Sequence, residues 1–590
     1  MTRRLLAPVL ACVLLLAMAG CSSAEPSDAF RAFADAVQRR DAAAAAQQTD
    51  DPAAAEPVIA AMFAGMGKDA AVRVDTAPIE GEEAGETLTY HWTLAPGREF
   101  EYEVTGAAAA QDDAWRLQWS PALLHPDLAP GLKFQYSQDS DLQTPVLDRT
   151  GQPLMMWQTV GLVTLERARL DSAAALAAVL APIEPTITAQ TIAAQFDGND
   201  NPVITVIRLR EADLNPVREQ LLAIAGVGIT EQGDLLTADR ALSSPAMADL
   251  PEMWHDRITR NAGWSVYLVD GTGAPAQQLT ATPPKPTDPL RTTLDLRLQL
   301  LAQSAVAAEP RPSVLVAMSP SDGGILAAAQ NAAADAQGAI AFSGLYPPGS
   351  TFKTITTAAA LEAGLVTPDS PVTCPGRLTI ENRTIPNDDD FDLGTVPMTT
   401  AFARSCNTTM GALADRLPPD ALPTTARAFG IGVDYVIPGL TTVTGRVPEA
   451  ETAALRVENG IGQGTVTVSP FGLALAEASL AHGATVTPTL VQGATTEADT
   501  PSEPLPADVT AALRAMMRAT VTEGTASALA DIPGLGGKTG TAEFGDNTHS
   551  HGWFAGIAGD IAFATLVVGG DSSAPAITVS GEFLRPAVTG

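Results

Sequence analysis

Tyr346-Pro-Pro-Gly-Ser-Thr-Phe-Lys-Thr-Ile-Thr-Thr-Ala-Ala-Ala-Leu-Glu-Ala-Gly364 places two prolines and a glycine directly ahead of a run rich in helix formers. That order predicts a helix starting at Ser350. A side chain at a helix start faces unsatisfied backbone N–H groups and the positive end of the dipole. Lys353, three positions later, shares the same face, so amine and hydroxyl can meet. For the amine to take the hydroxyl proton it must be neutral, which calls for burial or a neighbouring positive charge. Composition singles out lysine independently. Of 35 basic residues only Lys68, Lys133, Lys285, Lys353 and Lys538 are lysines. Arginine keeps its proton at any useful pH, so lysine is required where a proton moves or a compact cation matters. Taken alone, Ser-x-x-Lys is also a common pattern on solvated helix faces.

Two further elements follow in the chain. Ser405-Cys406-Asn407, preceded by Phe402-Ala-Arg404, would by itself read as a turn or a helix cap. Gly536-Gly-Lys-Thr-Gly-Thr-Ala-Glu543 is short and suits a strand, with a second candidate strand from Trp553 to Ala558. Gly540 would let a ligand approach that strand's backbone. A phosphate loop is excluded by spacing, since it needs glycine where residue 532 is isoleucine.

Ser-x-x-Lys, Ser-x-Asn and Lys-Thr-Gly in this order resemble the signature of the penicillin-recognising serine transferases and β-lactamases. Thr292-Thr-Leu-Asp-Leu-Arg-Leu-Gln299, Val314-Leu-Val-Ala-Met-Ser-Pro-Ser-Asp-Gly-Gly-Ile325, Ile461-Gly-Gln-Gly464 with Ser469-Pro470, and Glu523-Gly-Thr525 look like landmarks of class B transpeptidase domains. The resemblance implies that Ser350 attacks the carbonyl between the terminal D-alanines of a stem peptide while Lys353 accepts its proton. It further implies that Ser405 and Asn407 relay protons and hold the substrate amide. Lys538, Thr539 and Thr541 engage the terminal carboxylate, and the N–H groups of Ser350 and Thr541 form the oxyanion hole. β-Lactams would acylate the same serine. No cofactor and no metal is implied: His549 and His551 read as a solvated loop, and Asp388-Asp-Asp-Phe-Asp392 as a solvated turn that lacks the glycine and distal glutamate of a calcium loop.

Outward from this core, 590 residues exceed one hydrophobic core and suggest several domains of roughly 100 to 200 residues. Apolar residues at 46% against 17% charged argue for packed cores rather than disorder. A formal charge of -32 would repel nucleic acid, which is excluded as a partner. Arg3-Arg4, the apolar run Leu5 to Ala17 and Met18-Ala-Gly-Cys21 read as an export signal. The string resembles a bacterial lipobox. It implies cleavage of residues 1–20 and lipid on Cys21, with anchoring at the outer face of the bacterial cytoplasmic membrane. Cys374 and Cys406 remain, either as a disulfide or as two small buried apolar residues.

Residues 22 to about 50 carry Phe30, Phe33 and Val37 at helical spacing, followed by the alternating stretches Leu88 to Leu94 and Phe100 to Val104. Trp115-Arg-Leu-Gln-Trp-Ser-Pro-Ala-Leu-Leu-His-Pro126 resembles the close of the NTF2-like domain in penicillin-binding proteins of the methicillin-resistance type. Leu147-Asp-Arg-Thr-Gly-Gln-Pro-Leu154 looks like the opening of the class B pedestal, without the Arg-Gly pair usual just upstream. A helical pattern follows from Leu170 to Leu180 and a strand from Val203 to Leu209. Ala281-Thr-Pro-Pro-Lys-Pro-Thr-Asp-Pro289 is a stiff linker.

The expectation is a multidomain α+β chain: leader 1–20, NTF2-like domain 21–140, dimerisation or pedestal domain 141–285, and transpeptidase domain 286–590 with helices flanking an antiparallel sheet. Absence of a recognisable glycosyltransferase signature implies cross-linking without polymerisation, with a glycan-polymerising enzyme as partner. A β-lactamase or D,D-carboxypeptidase shares the motifs but not the length or the extra domains. A β-lactam sensor, the non-enzymatic alternative, would need a signalling helix that the sequence does not offer.

Overall fold

The computed structural model describes residues 25–111, 114–198, 200–501, 504–545 and 548–589. The expected leader and Cys21 lie outside the described residues. The chain divides into two compact units. One comprises residues up to Asp141 with Thr259–Pro286, and the other Leu142–Ile258 with the chain from Thr287 onward.

In the first unit Phe30, Phe33 and Val37 are fully buried on helix Pro26–Gln38, as their spacing requires. The helix expected to continue to about residue 50 breaks instead at Arg40, whose φ of 56° is left-handed. A second helix, Ala42–Ala46, starts afresh under a cap from Asp41. The break has a purpose in packing. The Arg40 guanidinium donates to the carbonyls of Phe63, Gly67, Lys68 and Ala70 at 2.7–2.9 Å, closing the C-terminal end of helix Pro52–Met66. The Phe63 carbonyl has no partner inside the helix, because the Gly67 N–H turns to Ala64 instead, and a cation suits that end of its dipole.

Strands Ala71–Pro78, Gly85–Ala95, Arg98–Gln111 and Ala114–Leu117 form a four-stranded antiparallel sheet in chain order. Leu88, Tyr90, Trp92 and Leu94 alternate inward along the second strand. Tyr90 and Trp92 stand opposite Tyr102 and Phe100. Each large apolar side chain so buried contributes about 1.5–3 kcal/mol. A second sheet pairs Gly263–Val269 with both Lys133–Asp139 and Pro275–Thr282. Residues 263–282, which sequence alone groups with the segment 141–285, thus extend the first unit. Pairing between strands so far apart leaves no local trace in the sequence.

In the second unit the long strand Pro153–Glu166 is flanked by Val203–Arg210 and Val227–Thr237. The Leu147-to-Leu154 turn is tied by buried Asp148, whose carboxylate accepts from the backbone of Thr150, Gln152 and Leu296. Residues 283–289 carry no helix or strand, as four prolines in Ala281–Pro289 dictate.

The sheet that carries the Lys-Thr-Gly strand runs Ile325–Gln330, Ser313–Met318, Ile561–Val567, His549–Ala558, Gly536–Phe544, all antiparallel. Strand Ser313–Met318 is buried at every position. Val314, Val316 and Met318 enter one core cluster while Leu315 and Ala317 enter another. Helices therefore cover both faces, with Pro470–His482 on one side and Leu296–Ala307 and Ala574–Thr589 on the other. No helix among the described residues is long and apolar enough to cross a membrane.

Candidate active site

Ser350 lies in a tight 3-10 turn, Gly349–Phe352, that leads into helix Lys353–Glu362, so the regular helix begins three residues later than the sequence suggests. The turn is dictated by contact with the last strand of the sheet. Gly349 has φ 52°, and a Cβ there would lie 2.4 Å from the Thr541 carbonyl oxygen. Gly540 faces the same turn, where a Cβ would lie 2.8 Å from the Pro348 carbonyl. Glycine at both positions lets turn and strand touch backbone to backbone.

Lys353 is fully buried at the start of its helix. Its Nζ donates to the Ser405 carbonyl (2.7 Å), to Ser405 Oγ (3.2 Å) and to Asn407 Oδ1 (2.5 Å). Lys538, also fully buried, reaches Ser405 Oγ from the sheet side at 2.9 Å and the Thr539 carbonyl at 3.1 Å. Its ammonium stands 5.7 Å from the centre of the Phe402 ring. Both lysines are pushed toward neutrality. Burial, then repulsion from Lys538, holds Lys353 well below the ordinary lysine range against a smaller opposing pull from Asp388. Burial alone brings Lys538 down to about 7.

Ser405 is therefore the junction. Its hydroxyl accepts from two lysines, which uses both lone pairs and leaves its single O–H to donate elsewhere. The residue is held at φ 62°, a left-handed conformation uncommon outside glycine. The Ser350 hydroxyl makes no hydrogen bond among the described residues, so the pairing of Ser350 with Lys353 expected from their spacing is replaced here by pairing of Lys353 with Ser405 and Asn407. Reactive pairs often tighten only when substrate arrives.

Thr541 points its carbonyl at the Gly349 turn. In an antiparallel strand the N–H of a residue leaves on the same side as its C=O, so the Thr541 N–H also faces outward from the sheet's end strand. The Ser350 N–H is unpaired among the described residues. Two backbone donors thus belong to the turn and the strand that meet at Gly349 and Thr541. Thr539 is buried with its hydroxyl 2.6 Å from that of Thr525, whereas Thr541 is exposed.

Cys374 and Cys406 are joined by a disulfide, with Cα atoms 6.1 Å apart. Cys406 is the middle residue of the second motif, so the bridge ties that motif to strand Pro371–Cys374. Asn387, immediately before the Asp388-to-Asp392 turn, is almost completely buried and accepts from the backbone N–H groups of Asn407 and Thr408. Nothing in the sequence separates it from an ordinary turn asparagine. Asp388–Asp390 beside it are exposed, as expected. His549 is exposed, but His551 is buried on a strand, stacked on Phe544 at 4.2 Å, and burial lowers its pKa to about 4. Among the described residues no group of three or more His, Cys, Asp or Glu side chains could hold a metal ion.

The chain is similar to several known proteins. Residues 313–589 match the penicillin binding protein transpeptidase domain, and residues 25–131 match an NTF2-like N-terminal transpeptidase domain. Peptidoglycan D,D-transpeptidase PbpA of Mycolicibacterium smegmatis is 36% identical over 257 residues, covering 39% of this chain and 52% of that one. PbpA of Mycobacterium tuberculosis is 34% identical over 255 residues, covering 39% and 51%. The chain spans about half the length of these curated relatives. A solved complex between penicillin-binding protein PBP2 and MreC from Helicobacter pylori shares the fold, with a TM-score of 0.57, 17% identity, and coverage of 77% of this chain and 99% of that one.

Proposed function

We propose, for a chain that belongs to the penicillin-binding protein transpeptidases and carries an NTF2-like domain ahead of that module, a peptidoglycan D,D-transpeptidase activity running through an acyl-enzyme on Ser350. The observation that carries this is the meeting of two buried lysines on one serine hydroxyl beside the Ser350 turn.

In this mechanism Ser350 Oγ attacks the carbonyl between the two terminal D-alanines of a stem peptide. Its proton passes to neutral Lys353, directly or through the Ser405 O–H. The N–H groups of Ser350 and Thr541 hold the oxyanion, each donor contributing about 3 to 4 kcal/mol in comparable sites. The terminal D-alanine leaves with the proton that Lys353 returns, and Ser350 holds the donor stem as an ester. An amine of a neighbouring stem then attacks the ester, Lys353 takes that amine's proton, and the proton returns to Ser350. Lys538, Thr539 and Thr541 receive the terminal carboxylate, while Asn407 and the Gly540 strand hold the peptide. A β-lactam enters the same path as acylating agent and stops at the ester.

The finer parts of the proposal are the export leader 1–20, lipid on Cys21, residence at the outer face of the bacterial cytoplasmic membrane, and pairing with a glycan-polymerising enzyme. The Helicobacter pylori neighbour was solved with a protein partner, which makes a protein partner for this chain reasonable to seek. Acylation by a fluorescent penicillin, followed by mass spectrometry, tests the core of the proposal. Stable labelling that Ser350→Ala abolishes supports it. Labelling that survives Ser350→Ala removes Ser350 as nucleophile, and rapid release of hydrolysed drug marks a β-lactamase instead.

A further inference from the structure

Asn387 is 2% exposed, between strand Arg383–Pro386 and the acidic turn Asp388–Asp390. Its Oδ1 accepts from the backbone N–H groups of Asn407 (2.8 Å) and Thr408 (3.1 Å). Its Nδ2 donates to the carbonyls of Phe391 (2.8 Å) and Pro375 (2.9 Å) and to Cys374 Sγ (3.4 Å). Those two N–H groups open helix Asn407–Asp415 and have no partner inside it. One residue earlier, the Pro386 carbonyl accepts from Asn407 Nδ2 at 2.9 Å. Anchoring that nitrogen turns the amide oxygen to Lys353 Nζ. Residues 386 and 387 thus grip Asn407 by its backbone and by its side chain at once.

We propose that Asn387 is a positioning residue for acylation: it fixes Asn407 with the amide oxygen on the Lys353 amine, and so holds that amine where it serves Ser350. The proposal rests on the transpeptidase reading of the site. Loss of the Asn387 amide frees the Asn407 end of the helix, and the Asn407 amide can then swing away from Lys353. A residue that merely supports the fold lowers stability and rate whatever occupies position 407. A positioning residue loses its effect on rate once the Asn407 side chain is gone.

The test is a double-mutant cycle on the full chain, reading the second-order rate of acylation by a fluorescent penicillin. Asn387→Ala is expected to slow acylation about 10- to 100-fold, the scale of a small misplacement of a reacting group. In an Asn407→Ala background the same change is expected to slow it by less than about threefold, because the two act as one unit. Additive effects, or a folded Asn387→Ala chain that acylates at the wild-type rate, overturn the proposal. Should Asn387→Ala not fold, Asn387→Ser carries the same cycle. A wild-type chain that is not labelled at Ser350 sinks the transpeptidase reading itself, whereas normal labelling indifferent to Asn387 sinks only this inference.

Discussion

Replacing Glu477 by glutamine should change how the stability of the second unit depends on pH. Glu477 lies on helix Pro470–His482, 1% exposed within the core, and its Oε2 has no hydrogen-bond partner. Burial raises its pKa to about 8 from an ordinary 4.5. The folded state then holds a proton that the unfolded chain releases above pH 4.5, so stability is fully present below that pH and declines as pH rises. The slope is about 1.4 kcal/mol per pH unit between the two pKa values, and it flattens above about 8. Glutamine has nearly the same shape and never ionises, so it keeps the acid-side stability and removes the slope. Denaturant midpoints for wild type and Glu477→Gln should nearly coincide at pH 5 and separate in favour of the variant by a few kcal/mol at pH 8. Hydrogen exchange of amides in helix Pro470–His482 would localise the difference. A gap between the two proteins that does not change from pH 5 to pH 8 would show that Glu477 keeps its charge in the folded state, and the reasoning would fall.

Two other expectations bear on the site. Gly349→Ala adds a Cβ 2.4 Å from the Thr541 oxygen at a left-handed φ, so penicillin acylation should fall by at least about 100-fold while thermal stability drops by only a few degrees; acylation near the wild-type rate would mean that the turn tolerates displacement. Lys538 carries its charge below about pH 7 and loses it above, so the apparent KM for a substrate with a terminal carboxylate should rise as pH increases through 7, and Lys538→Arg should abolish that rise even if it slows turnover; a KM independent of pH across that range in the wild type would remove Lys538 from carboxylate recognition.

Much of the site could be read from the chain because its parts are short, ordered strings. Ser350, Ser405 and Lys538 fall where helix starts, turns and strands can be recognised locally, and the scarcity of lysine marked the two groups that burial pushes toward neutrality. What the strings do not encode is which groups touch. Spacing predicts that Lys353 meets Ser350, yet the amine is held by Ser405 and Asn407, whose positions relative to it depend on a disulfide and on Asn387. Asn387 stayed hidden because a buried asparagine with five partners and a solvated turn asparagine look alike in sequence. The first unit shows the same limit. Phe30, Phe33 and Val37 announce their helix, but the break at Arg40 follows from carbonyls more than twenty residues away, and strand Gly263–Val269 pairs with Lys133–Asp139 across an entire intervening domain segment.

The position of Gly536–Phe544 at the end of its sheet also bears on solubility. An end strand shows a row of unpaired donors and acceptors, which is the feature by which sheets of separate molecules join and aggregate. Here the Gly349 turn is pressed against the Thr541 carbonyl and covers that part of the edge. A second copy of the chain could not pair along the strand through Thr541 while the turn stays in place. The glycines that bring the turn to the strand thus also act as a guard, and variants that loosen the turn should be watched for self-association as well as for lost chemistry.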